Sequence, residues 1–416
     1  MLESYFEAPH VLERLRSGTT GSLIDGFAVS LHASGYARVT ARNRLRGAAH
    51  LCRWLERRGS SLASLDESVL HRFARHLPSC RCRRRHPGQH GALRLGASLF
   101  LAYLRQRGIA PSRVGRQLCL PPVIDAFRSW MRLHRGVTET TLDGYERMLA
   151  EFVAKLGADP KRYDAAKVRG FMLEHAKDLG RSQVQNTASA LRMYLRYLSV
   201  DGQCSPDLIA AVPKVAHWRL ATLPRYLPAE SVEKVIATCD LGTSVGKRDR
   251  AILLLLARLG LRAADVGGLR LADIDWRRSR IRVIGKGRRE TWLPLPQDVG
   301  DAILAYLKNG RPSSKDDHVF MTVVAPVRAL HSQTAAISQL VRRAIEKTDI
   351  EAPSYGAHLL RHSAATTLLQ RGATLDTIGA LLRQRSMDVT ALYAKVDVLM
   401  LRRVAQPWPD KEVSPC

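Results

Sequence analysis

The 416-residue sequence is poor in cysteine, in long apolar runs and in acidic side chains. Seven cysteines are too few, and odd in number, for a secreted disulfide scaffold, and this favours a reducing cytoplasm. The longest apolar run, residues 251–257, is far shorter than the ~18–20 residues that a membrane span requires. The N-terminus lacks the charged and then apolar pattern of a signal peptide. We therefore expect a cytoplasmic protein with no membrane partner.

The deficit of acidic residues makes the chain strongly basic. It has 65 Lys and Arg against 38 Asp and Glu, a net charge of +27. Residues 1–120 contain 20 Arg, no Lys and 7 acidic residues, a net charge of +13, so the excess is shared by both parts of the chain. A high-GC genome would explain Arg over Lys, but not the excess over acids. The charge favours a polyanionic partner, with nucleic acid ahead of an anionic membrane surface.

A weak internal repeat divides the first half of the chain. Residues 23–77 begin LIDGF and residues 123–176 begin VIDAF. Two further pairs lie at matching positions: Asp66 with Asp164, and Phe73 with Phe171. Apolar residues recur at helical spacing in both copies, without strand-like alternation. We predict two small helical domains of similar design, residues 1–115 and 120–215. Chance resemblance between amphipathic helices is the alternative.

The rest of the chain is predicted to be a linker, a third domain and a tail. Residues 216–227 are basic and flanked by prolines, which suits a strap along phosphates or equally a solvated tether. The third domain, residues 228–408, is mainly helical but contains a hairpin, since residues 280–284 and 290–295 alternate around a Gly-Lys-Gly turn. Residues 409–416 are a loose tail. The predicted fold class is mainly α, with an α+β third domain that holds a small antiparallel sheet.

Four separated segments of the third domain carry polar residues in a distinctive order. These residues are Arg262 and Asp265, Lys286 at the hairpin tip, His358 and Arg361, and Tyr393. Arg361 follows Arg262 by 99 residues and precedes Tyr393 by 32. In order, residue type and spacing, residues 120–400 resemble the tyrosine recombinases, the phage-integrase family that includes Cre and the Xer proteins. The resemblance implies a core-binding helical domain followed by a catalytic domain, and with the internal repeat we expect two SAM-like, core-binding helical domains that clamp DNA.

The same resemblance implies DNA cleavage and rejoining through a 3′-phosphotyrosyl intermediate, without metal or ATP. Tyr393 would be the nucleophile. Arg262 and Arg361 would hold the phosphate oxygens, because a guanidinium fork binds two oxygens and stays protonated. His358 is the expected acid or base, since imidazole titrates near neutrality. Lys286 would be the general acid for the leaving 5′-oxygen; a plain phosphate contact is its alternative.

Two further residues complete the expected site. Asp265 lies one turn after Arg262, and the resemblance implies that it orients neighbouring groups. Gln384 lies nine residues before Tyr393, where the family usually has His or Trp. Its amide can donate a hydrogen bond but cannot titrate, and a neighbouring arginine could act instead. His362, beside the second arginine, is expected to buttress the site or the core.

A Cys/His cluster lies in the first domain, within residues 80–90. Two thiolates and two imidazoles there would make a reasonable tetrahedral zinc set: Cys80, Cys82, His86 and His90. The Cys-x-Cys spacing is tight, however, and the surrounding arginines oppose a cation. A basic DNA-contacting loop with incidental Cys and His is therefore slightly favoured over a structural zinc site.

The expected partners are double-stranded DNA with specific recombination sites and further copies of the chain. The resemblance implies a tetrameric synapse in which the C-terminal segment, residues 394–406, docks on a neighbouring protomer. Its apolar stripe could instead fold back on its own domain. The additional first domain resembles longer recombinases of transposons, so we expect integration or transposition of a mobile element in the bacterial nucleoid. Chromosome-dimer resolution and phage integration are other roles of the same chemistry, and a type IB topoisomerase and a catalytically weak DNA-binding regulator are the alternative functions.

Overall fold

The computed structural model describes residues 1–17, 20–80, 90–111, 121–216, 223–285, 290–330, 334–384, 387–396, 401–402 and 405. The predicted tail, residues 409–416, and residues 217–222 of the predicted linker lie outside them. The chain forms two compact units: Met1–Pro111 together with Thr222–Cys416, and Ser112–Ala221. The described residues are mostly helical and contain one small antiparallel sheet, which confirms the predicted fold class. Within these residues, no helix combines the length and the apolar character needed to cross a bilayer.

The N-terminal part of the chain, as far as Ala110, builds a helical domain around an apolar core of its own. Its helices are α1 (Pro9–Arg16), α2 (Gly21–Ala33), α3 (Arg38–Glu56), α4 (Glu67–His76) and α5 (His90–Gln106). Helices α3 and α5 cross in close contact at two buried glycines. A Cβ atom at Gly47 would lie 2.5 Å from the Leu93 carbonyl oxygen, and one at Gly96 would lie 2.5 Å from the Arg44 carbonyl oxygen. The absence of side chains at these two positions lets the backbones approach.

The second helical domain has a separate apolar core. Its helices are α6 (Pro122–Arg135), α7 (Glu139–Leu156), α8 (Ala165–His175), α9 (Arg181–Val200) and α10 (Asp207–Ala211). Asp66 caps α4 by accepting a hydrogen bond from the Val69 amide at 2.9 Å, and Asp164 caps α8 in the same way at 2.8 Å. Phe73 and Phe171 are buried on these two helices. The repeat in the sequence therefore has a counterpart in equivalent caps and core positions.

The third domain packs its helices around a buried central helix. Its helices are α11 (Ala229–Ala237), α12 (Ser244–Arg258), α13 (Ala263–Gly267), α14 (Gln297–Asn309), α15 (Thr334–Glu346), α16 (Ala357–Gln370), α17 (Leu375–Leu382) and α18 (Met387–Ala394). Residues 251–257 of α12 are all buried. Periodicity predicts that this helix starts at Asp249, but it starts at Ser244. The reason is the cap at Thr243, whose hydroxyl accepts a hydrogen bond from the Gly246 amide at 3.0 Å.

The sheet of this domain has three antiparallel strands in the order β1 (Ile274–Asp275), β2 (Arg280–Ile284) and β3 (Glu290–Pro294). The predicted hairpin is confirmed, with Ile281 opposite Leu293 and both side chains buried. Strand β1 was not predicted, because two residues are too few to show alternation. The hairpin tip, residues 286–289, lies outside the described residues.

The tight α3–α5 crossing generates a stability prediction. Gly47→Ala should lower the free energy of unfolding by about 1–3 kcal/mol, because the new methyl group meets a backbone oxygen that cannot rotate away. Gly91→Ala is the matched control, since it lies in α5 and no atom of the described residues comes within 4 Å of the position that its Cβ atom would take. It should hold or raise stability, because Ala favours the helix over Gly by up to ~1 kcal/mol. Thermal unfolding followed by circular dichroism compares the two variants. Equal unfolding midpoints would contradict the close contact between α3 and α5 at Gly47.

Candidate active site

Arg262 projects from a rigid turn between α12 and α13. The turn contains Gly260, whose φ of +57° lies in the left-handed region that glycine adopts at little cost. A Cβ atom there would lie 2.5 Å from Cδ2 of Leu382. The Arg262 amide then donates to Asp265 Oδ2 at 3.1 Å, which caps α13. The side chain of Arg262 is 35% exposed, so its guanidinium group can reach a ligand.

Arg361 lies on α16 and is buried, with 6% of its surface exposed. Its guanidinium group donates to the carbonyl oxygen of Gly260 and, at 2.6 Å, to that of Leu382. These bonds connect α16 to the turn before Arg262 and to the end of α17. Burial and the nearby charge of Arg262 lower the pKa of Arg361 to about 10, so the group stays protonated at neutral pH.

Tyr393 lies on α18 with 1% of its surface exposed and packs against apolar residues of α16 and α17. Its hydroxyl oxygen lies 2.9 Å from Nδ1 of His362, a distance at which the hydroxyl can donate to the ring. Burial raises the pKa of Tyr393, while the charge of Arg361 and a hydrogen bond with Gln384 oppose that rise. The phenol is therefore protonated at neutral pH and needs a base.

The contact of His362 with the tyrosine hydroxyl is the main feature that the sequence did not predict. The sequence predicts that His362 buttresses the site or the core, and the structure puts its ring against the tyrosine hydroxyl. A signal was available, because His362 lies four residues after His358 and therefore on the same face of a helix. The two ring centroids lie 6.4 Å apart.

Both histidines are held in the neutral form at neutral pH. His358 is solvent-exposed near the start of α16, yet neighbouring atoms still desolvate it in part. That desolvation and the charges of Arg361 and Arg262 lower its pKa. Burial, with contributions from His358 and Arg361, lowers the pKa of His362. A neutral imidazole can accept a proton, so each ring can serve as a base.

Asp265 and Gln384 connect the helices around the site. The Asp265 carboxylate forms an ion pair with Arg383, and both side chains are buried. Arg383 ends α17 with a φ of +52°, a strained value for a non-glycine residue. Next to it, Gln384 accepts a hydrogen bond at 2.5 Å from the hydroxyl of Thr390, on α18. Asp265 thus holds the turn of Arg262 against the end of α17, and Gln384 links that end to the helix of Tyr393.

The structure therefore brings six of the seven expected catalytic residues to one region of the third domain. Lys286 lies outside the described residues. Of the four expected zinc ligands, Cys82 and His86 also lie outside the described residues, and the structure places Cys80 beside two histidines from elsewhere in the first domain.

The third-domain site has cationic guanidinium groups, a phenol and neutral imidazoles. This set suits the transfer of an anionic phosphoryl group, because the cations stabilise charge that develops on its oxygens.

Comparison with known proteins agrees with this chemistry. Residues 225–399 match the model of the phage integrase family. A putative integrase/recombinase of Sinorhizobium fredii, y4rA, is 35% identical over 98% of this chain and 99% of its own length. The tyrosine recombinase XerD of Listeria monocytogenes is 30% identical over 68% of this chain and 96% of its own length.

Solved structures share the fold at low sequence identity. XerH recombinase in a post-cleavage complex with a palindromic difH substrate matches 80% of this chain and 93% of its own chain, with a TM-score of 0.55 and 18% identity. A lambda integrase dimer bound to a core site matches 70% and 98%, with a TM-score of 0.52 and 14% identity.

Proposed function

Since this chain belongs to the phage integrase family and is a tyrosine recombinase, an enzyme of site-specific DNA recombination, we propose that Tyr393 is its nucleophile. The phenol oxygen attacks phosphorus, a 3′-phosphotyrosyl bond forms, and the 5′-oxygen leaves as a hydroxyl. The contact between the Tyr393 hydroxyl and His362 carries this assignment, because it supplies a proton acceptor beside Arg361. Burial of the phenol also keeps bulk water away from the attacking oxygen.

The surrounding residues receive roles that match their positions. Arg262 and Arg361 hold the non-bridging oxygens and stabilise the five-coordinate transition state. His362 accepts the phenol proton, and His358, exposed beside both arginines, acts as acid or base at the phosphate. Lys286 protonates the leaving 5′-oxygen; this role rests on the family resemblance alone. The guanidinium groups supply the positive charge, so cleavage and joining need neither a metal ion nor ATP.

The partner we propose is double-stranded DNA that carries specific recombination sites. The net charge of +27, with an arginine-rich first domain, supports phosphate contacts along much of the chain. The match to the putative integrase/recombinase extends over 98% of this chain, whereas the match to XerD covers 68%. Because the additional first domain is shared with the putative integrase, we propose integration or transposition of a mobile element as the biological role.

Tyr393→Phe should abolish the covalent protein–DNA adduct and leave DNA binding within a few-fold. One hydroxyl carries the chemistry, whereas many basic residues carry affinity. The substrate is a nicked duplex whose site is first selected by the protein from a random-sequence pool, and the adduct is detected on a denaturing gel. Tyr355→Phe is the matched control, because Tyr355 is exposed and close in sequence to His358. Adduct formation by the Tyr393 variant would reject the assignment.

The lowered pKa values of the two histidines predict the pH dependence of cleavage. An ordinary histidine has a pKa of about 6.5, so rings with lower values are neutral at pH 7 and gain a proton only in more acidic solution. Single-turnover cleavage should therefore hold its rate from pH 8 to pH 7 and fall only in solution more acidic than the pKa of an ordinary histidine, as the base is protonated.

His362→Gln should lower the rate at pH 7 by about 10²-fold or more, because the base is lost. His134→Gln, on an exposed face of α6, should leave both the rate and the profile unchanged. An unaltered rate in the His362 variant would remove this residue from the proton transfer.

We also propose a tetrameric synapse with exchange of the C-terminal segment. The described part of that segment includes Val396, which packs against the core around Tyr393 of its own domain, while residues 397–400, 403–404 and 406 lie outside the described residues. Leu399→Asp with Met400→Asp should keep half-site binding but abolish cooperative full-site binding in gel-shift titrations, because a charge is disfavoured in an apolar docking pocket. Normal cooperative assembly by the double variant would refute the exchange.

A further inference from the structure

We propose that the first helical domain holds one zinc ion on His50, His76 and Cys80. These residues come from three places: His50 lies within α3, His76 is the last residue of α4, and Cys80 follows four residues later. Their donor atoms all lie within 4.8 Å of one another. Nε2 of His50 and Sγ of Cys80 are 3.3 Å apart.

The distances match two ligands of one tetrahedral ion. With Zn–S bonds of ~2.3 Å and Zn–N bonds of ~2.0–2.1 Å, a nitrogen and a sulfur on the same zinc lie about 3.5 Å apart. A thiol-to-imidazole hydrogen bond would also satisfy the His50–Cys80 distance. It would not explain why a second imidazole nitrogen approaches the same pair. Two imidazoles and a thiolate are ligands that favour zinc over hard cations such as magnesium and calcium.

Aromatic rings pack against the two histidines. His50 is 3% exposed, and its ring packs edge-on against Phe73, with the centroids 5.3 Å apart. The ring centroids of Trp54 and His76 lie 6.0 Å apart. These contacts limit the orientations of the imidazole rings, as is usual around a metal centre.

The proposed ligands differ from the set that sequence spacing favours. Cys80 belongs to both sets. His90, at the start of α5, joins no group of three potential ligands among the described residues. His76 and Cys80 have a spacing typical of zinc sites, whereas His50 lies much earlier in the chain, on another helix, which is why the sequence did not reveal it.

A metal ion at this position would tie α3 to the end of α4. It would also fix the point at which the chain enters a basic stretch. Four arginines follow Cys80 closely: Arg81, Arg83, Arg84 and Arg85. The ion therefore would stabilise the domain and anchor a segment whose charge suits phosphate contacts, without taking part in the chemistry at Tyr393.

Metal analysis of the full-length chain, purified without a histidine tag, tests the site. We expect about one equivalent of zinc per chain in the wild type. His50→Ala and Cys80→Ser should each lose most of it. His90→Ala, the matched control, should keep it. Removal of zinc by a chelator should lower the thermal midpoint by more than about 5 °C. Wild-type protein with less than about half an equivalent, or equal zinc in all variants, would overturn the proposal.

A cobalt titration covers the case in which the variants fail to fold. Chelator-treated wild-type protein should bind one equivalent of Co²⁺ and develop the thiolate-to-cobalt charge-transfer band together with intense tetrahedral bands in the visible region. Absence of the charge-transfer band would show that the Cys80 thiol pairs with histidine by hydrogen bonding alone, and would overturn the site.

Discussion

The buried guanidinium group of Arg361 is the interaction on which the active region depends. Its bonds to the carbonyl oxygens of Gly260 and Leu382 join three parts of the chain that are far apart in sequence. One part carries Arg262, the second carries Gln384, and the third is α16 with its two histidines. A charged group with two fixed acceptors stays in one position, so the residues around it are held before any DNA phosphate arrives.

Burying the guanidinium charge of Arg361 costs free energy, and nearby charged groups change that cost. The pKa of Arg361 is lowered because the side chain is buried and Arg262 lies nearby. The carboxylate of Asp265 pairs with Arg383, and its Oδ2 atom lies 3.9 Å from a guanidinium nitrogen of Arg262, so it compensates part of the local charge. Two arginines, Arg262 and Arg383, and one carboxylate, that of Asp265, act on Arg361. An incoming phosphate can supply the missing anion, which favours binding of the substrate and of its more highly charged transition state.

The two helical domains share caps and core positions, although they lie in different parts of the chain. Equivalent aspartates cap equivalent helices, and equivalent phenylalanines fill each core, although the two cores are separate. The first domain differs by its close α3–α5 crossing and by the cluster of His50, His76 and Cys80. In the first domain, a close helix crossing and a metal ion would each add to the stability that the apolar core supplies.

The sequence by itself determined the family, the fold class and the order of the chemical groups, because residue type and spacing survive in a linear pattern. Periodicity of two and of 3.6 also placed the hairpin and most helices. The start of α12 escaped prediction, since a single capping hydroxyl at Thr243 sets it. Tertiary structure alone decided that His362 meets the Tyr393 hydroxyl, because the distance between α16 and α18 depends on packing. It likewise decided that Cys80 lies beside histidines of α3 and α4. Contacts between helices distant in sequence do not appear in the periodicity of the sequence, and such contacts produce both the proposed proton acceptor and the proposed metal site.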